Sequence, residues 1–166
     1  TYSFQVQSID QAFRGSAFSA ATEFTVENLP LEEEFETAFG LPKTGFSEST
    51  LALIDVDDDG DLDVVGMGAD ENGAATSFVL VNAISAGTGM TRQNLSIGLK
   101  NGDIAPADVD NDGDVDLFLC GDDGTNPQAV LYLNNGSGQF TASTNSFTGL
   151  ICGEAAWAEL DNDGDV

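Results

Sequence analysis

Three acidic stretches recur in phase along the chain: Asp55-Val-Asp-Asp-Asp-Gly-Asp-Leu-Asp63, Asp108-Val-Asp-Asn-Asp-Gly-Asp-Val-Asp116 and Glu159-Leu-Asp-Asn-Asp-Gly-Asp-Val166. Their first residues are 53 and 51 positions apart. Side-chain carboxylates at relative positions 1, 3, 5 and 9, together with the main-chain carbonyl of the Asp at 7, are what a hard, oxygen-seeking cation requires from one short loop. Calcium is the expected ion. The candidate metal residues are therefore Asp55, Asp57, Asp59, Asp61 and Asp63, then Asp108, Asp110, Asp112, Asp114 and Asp116, then Glu159, Asp161, Asp163 and Asp165. Glycine at position 6 (Gly60, Gly113, Gly164) lets the backbone turn sharply so that oxygens on both sides of it converge. Asp58, Asn111 and Asn162 at position 4 should face water.

The elements that must hold these loops read as strands. Leu51-Ala-Leu-Ile54 enters the first loop and Val64-Val-Gly-Met67 leaves it. A helix-loop-helix calcium site would need amphipathic stretches of about ten residues or more and a bidentate Glu at position 12, where this chain has Gly66 and Leu119. Further on, Thr76-Ser-Phe-Val-Leu-Val-Asn82 corresponds to Gln128-Ala-Val-Leu-Tyr-Leu-Asn134, a third strand ending on asparagine. Asn135-Gly-Ser-Gly138 is good turn chemistry, and Gln139-Phe-Thr-Ala142 reads as an outer strand. Phe35 falls in the slot of Met90 and Phe140, each a few residues before a Gly-Leu pair, so residues 33–38 are expected to be an outer strand despite their glutamates.

This pattern resembles the FG-GAP or VCBS repeat, the blade unit of integrin-α-type β-propellers, over about residues 30 to 166. The resemblance implies an all-β fold: a partial β-propeller of about two four-stranded blades plus a stub, with a calcium loop joining the first two strands of each blade. Blades stack face to face and cannot bury a core singly. Two blades and a stub do not close a ring, and the last loop stops at position 8, so the remaining blades and domains of a longer chain are expected partners. Residues 1–29 differ in texture. Tyr2, Phe4 and Val6, then Phe24 and Val26, alternate with polar residues as two half-buried strands joined by a loop from Asp10 to Ala21. That segment resembles the last hairpin of a fibronectin type III sandwich, with Tyr2 in the place of its corner tyrosine. Asn28-Leu-Pro30 reads as the joint between domains 1–29 and 30–166.

Acidic residues outnumber basic ones 29 to 4, which excludes nucleic acid and anionic membrane surfaces as partners. Fifteen of the 29 lie in the three loops, so the charge is concentrated where cations would offset it. No apolar run approaches the length of a membrane helix, and no membrane insertion is expected. Cys120 and Cys152 lack the spacing of a zinc site, and Cys120 takes the place of Met67, as a small core residue would. A bridge between the two is the alternative. Trp157, Phe78, Leu80, Val130 and Tyr132 are expected to pack between blades, the Tyr132 hydroxyl requiring a partner. The Asn94-Leu-Ser96 and Asn135-Gly-Ser137 sequons are assigned no role.

The chain has no histidine, and neither cysteine sits in a nucleophile context, so a non-catalytic role is expected. The resemblance implies a secreted or cell-surface bacterial protein, with calcium structural, serving adhesion or recognition of an extracellular protein or glycan ligand. Two alternatives stand beside it: an accessory propeller of a carbohydrate-active enzyme, and an architectural repeat spacer.

Overall fold

The computed structural model describes the backbone of Tyr2–Phe4 and Thr22–Phe24, and residues 45–84 and 86–160. The strand expected at 33–38, the joint at 28–30 and the third-loop residues Asp161, Asp163 and Asp165 lie outside the described residues. Two compact units divide the chain, Thr1–Glu34 and Phe35–Val166. In the first, β1 (Tyr2–Phe4) and β2 (Thr22–Phe24) pair antiparallel, Tyr2 opposite Phe24.

The second unit holds two four-stranded antiparallel sheets, each a simple meander. One runs β3 (Ser47–Ile54), β4 (Asp63–Ala69), β5 (Ala75–Ala83), β6 (Gly89–Asn94). The other runs β7 (Lys100–Ala107), β8 (Asp116–Asp122), β9 (Pro127–Asn134), β10 (Phe140–Ala142) in the same order. Consecutive strands become neighbours because the loops between them are short and rich in Gly, Asn and Asp. The all-β class and the four-strand repeat expected from the sequence are thus present. The central strand β4 is buried along nearly its whole length and β5 through its middle, residues 77–80, which is why their sequences read as continuous apolar runs instead of alternating ones.

The two sheets share one core. Val65, Met67 and Val79 of the first meet Leu117, Leu119, Val130, Tyr132 and Phe140 of the second, with Val56 from the first acidic loop and Leu95, Leu99 and Ile104 in the same cluster. Phe78, Leu80, Val130 and Tyr132 are all buried, as packing residues should be. The Tyr132 hydroxyl accepts the Ile97 N–H at 3.0 Å and lies 3.3 Å from Ser96 Oγ, so burial leaves it satisfied. Trp157 stacks edge-on to Phe118, centroids 5.8 Å apart, and donates its indole N–H to the Ala105 carbonyl at 3.1 Å. Both cysteines are free; Cys120 is buried on β8 and Cys152 is exposed.

Two features recur with the period of the loops. The start of each first strand is bulged: register slips between Ser47 and Thr50 and again between Lys100 and Asp103, and Glu48 and Asn101 adopt left-handed φ of 51° and 53°. Cys152 repeats that conformation at φ 55°, and its N–H donates to the Asn101 carbonyl at 2.8 Å, so the repeat pattern continues past the second sheet. Gly98 and Gly149, in the Gly-Leu pairs, run against the Ala75 and Pro127 backbones. A Cβ there would lie 2.1 Å and 2.2 Å from those carbonyl oxygens, a distance no side chain tolerates.

Candidate metal centre

The first loop crosses from β3 to β4 and the second from β7 to β8, and both fold the same way. Asp58 and Asn111 at position 4 take φ of 56° and 60°, and the following Gly60 and Gly113 take 89° and 96°. Asx residues and glycine carry left-handed backbone at low cost, which explains their use at these two positions. Asp58 and Asn111 are exposed, facing water as expected.

The position-1 carboxylates fasten the turn. Asp55 accepts the N–H groups of Asp59 at 3.2 Å and Gly60 at 2.9 Å, and Asp108 accepts those of Asp112 and Gly113 at the same distances. The position-9 carboxylates are buried, Asp63 at 0 % and Asp116 at 1 % exposure. Each accepts two backbone N–H groups. Asp63 takes Val56 at 2.7 Å and Asn82 at 2.6 Å; Asp116 takes Val109 at 3.0 Å and Asn134 at 2.9 Å. Position 9 therefore ties the loop's beginning to the end of its own third strand.

One oxygen from each of Asp55, Asp57 and Asp63 lies within 4.8 Å of the others, and the same holds for Asp108, Asp110 and Asp116. Two oxygens on one cation at about 2.3 to 2.6 Å can be no more than about 5 Å apart, so this spacing fits a shared ion. Among the described residues, the buried Oδ1 of Asp57 has no hydrogen-bond partner, a costly state for a carboxylate oxygen that a cation would relieve. An all-oxygen, all-anionic donor set suits a hard divalent ion and not zinc. Of the remaining sequence candidates, Asp59 and Asp112 turn Oδ1 to the N–H of Asp61 and Asp114 at 2.8 Å and 3.0 Å. They and the position-7 side chains fall outside the converging triads. Glu159 is exposed near the end of the described residues.

Crowded charge shows in the carboxyl pKa values. Loss of hydration first, then the charges of Asp59, Asp63 and Asp55, raise Asp57 above the ordinary carboxylate value of 3.8. Asp110 is raised by loss of hydration and by Asp112 and Asp116; Asp114 by loss of hydration, by its own loop and by Asp58 of the other loop. Burial raises Asp63 too, against the two N–H groups that lower it. Groups raised on folding stabilise the fold most below their unfolded value, and that contribution is lost as pH climbs through the raised value. The chelated protein should therefore become more resistant to urea as pH falls from 7 toward the ordinary carboxylate range. In millimolar calcium the trend should reverse, because protons then displace the cation. Urea midpoints at stepped pH, with and without chelator, check both signs.

Sequence reasoning missed Asn82 and Asn134. They were legible only as strand ends, yet their backbone N–H groups hold Asp63 and Asp116; the signal was an asparagine at one repeat phase in both copies.

Two consecutive four-stranded antiparallel meanders, each with an acidic loop between its first two strands, define a β-repeat protein with a candidate cation site per repeat. Residues 108–166, about a third of the chain, match the family model of the FG-GAP-like repeat. No curated protein and no solved structure matches the chain. Among the described residues, no helix is long and apolar enough to cross a membrane.

Proposed function

We propose that this chain is a calcium-stabilised, non-catalytic propeller region of a large secreted or cell-surface protein, adjoining a fibronectin-III-like module and serving adhesion or recognition of an extracellular protein or glycan. The observation that carries the calcium reading is the in-phase recurrence of the carboxylate triads, one of them holding a buried oxygen without a partner. The FG-GAP-like match supports the propeller reading, and its span begins at the first residue of the second loop and takes in the third loop through position 8. Bound calcium would supply charge neutralisation and fixed geometry where two strands meet. Asp55, Asp57 and Asp63, and Asp108, Asp110 and Asp116, would hold it.

Calorimetric titration of the chain with calcium should show at least two sites of extracellular strength, with dissociation constants of about 10⁻⁴ to 10⁻³ M. Asp57→Ala and Asp110→Ala should each remove one. Preference for zinc, or no binding at millimolar calcium, overturns the assignment. In a screen of extracellular glycans and proteins, the chain should retain a ligand without cleaving it; release of new glycan ends would overturn the non-catalytic reading.

A further inference from the structure

Asn134, at the end of β9, is only 7 % exposed, and its backbone N–H and both side-chain polar atoms are engaged. Its backbone N–H donates to Asp116 Oδ1 at 2.9 Å, and its Oδ1 accepts the Asn135 N–H at 2.8 Å. Its Nδ2 donates twice, to the Val115 carbonyl of its own loop at 3.1 Å and to the Val56 carbonyl of the preceding loop at 2.8 Å. Asn82, in the same phase of the first repeat, makes the first half of this pattern: N–H to Asp63 at 2.6 Å and Nδ2 to the Leu62 carbonyl at 3.2 Å. The bond to a neighbouring loop is what Asn134 adds.

Val56 sits between Asp55 and Asp57, two of the three residues of the first triad. It is 2 % exposed, and its own N–H is held by Asp63 at 2.7 Å. Val56, between two members of the first triad, is thus held through its N–H by its own loop and through its carbonyl by Asn134, whose backbone N–H is held by a member of the second triad. The turn after Asn134 lies against both loops. A Cβ at Gly138 would lie 3.2 Å from Val56 Cγ2 and 3.8 Å from Asp57 Cβ, and one at Gly136 would lie 2.5 Å from Asp114 Oδ2.

We propose that Asn134 couples the two cation sites, so that filling either loop raises the affinity of the other. This coupling rests on the calcium reading. The physical route is ordering: a filled second loop fixes Asp116, hence the Asn134 amide, hence the Val56 carbonyl and the carboxylates on either side of it. The first loop then binds with less freedom left to lose. Buried hydrogen-bonded networks transmit such a constraint because breaking one member strands the others. The coupling is reciprocal by thermodynamic necessity.

The test is calcium titration calorimetry on the whole chain and on variants with one loop disabled. With Asp110→Asn disabling the second loop, the first should bind about five-fold or more weakly than it does with the second filled, and Asp57→Asn should weaken the second loop by the same factor. Asn134→Ala should abolish the interdependence, leaving two sites whose affinities no longer respond to loss of the other. Asn134→Ser, whose hydroxyl is too short to bridge both carbonyls, should give the same result if the alanine variant does not fold. Two sites that bind independently in the unaltered chain, or coupling that survives both Asn134 variants, overturn the proposal. An unaltered chain that binds no calcium overturns the calcium reading instead, and the coupling with it.

Discussion

Chelation of calcium should lower the melting temperature of this chain by roughly 10 to 20 °C. Each of the two complete loops gathers five or six carboxylates within nine residues, inside a Debye length of about 8 Å at physiological salt, so without a cation they repel one another at the joint of two strands. The raised pKa values of Asp57, Asp110 and Asp114 reflect lost hydration with that repulsion added to it. For a site with a dissociation constant of about 10⁻⁴ M in several millimolar calcium, mass action gives about 2 to 2.5 kcal/mol, provided the unfolded chain does not bind. Two sites then supply a large share of an ordinary domain's stability. Asp57→Ala should forfeit one site's share in calcium and cost little in chelator. Thermal unfolding of the chain and this variant, in both conditions, measures it. A melting temperature indifferent to chelator while ligand binding is abolished would place the cation at a ligand site and refute the structural role.

Asp63→Ala and Asp116→Ala should behave differently, destabilising the chain by roughly 2 to 6 kcal/mol even in chelator. Each carboxylate is buried and is the acceptor for two backbone N–H groups, which alanine would strand at about 1 to 3 kcal/mol apiece. Loss of the cation adds to this in calcium. Urea unfolding with chelator present separates the two contributions. If Asp63→Ala matched the wild type in chelator, the latch between loop and third strand would carry no stability.

What the sequence by itself determined is the local and periodic part of this protein. The spacing of the acidic loops, the Gly at position 6, the Asn-Gly turn and the apolar runs define strands, their order and the repeat length, because each depends on residues close together in the chain. The six carboxylates of the two triads were all among the candidates for the same reason. Only the tertiary structure decided which carboxylates converge. Positions 5 and 7 carry the same residue type as 1, 3 and 9, but the backbone N–H at position 7 claims an oxygen of position 5, a competition that residue type does not reveal. The doubled role of position 9, ligand candidate and latch, depends on an amide 18 or 19 residues away, and the Asn134 bond to Val56 spans 78. Contacts at that range are set by how one sheet packs on the next, and a repeat alignment, which compares each unit with itself, carries no record of them.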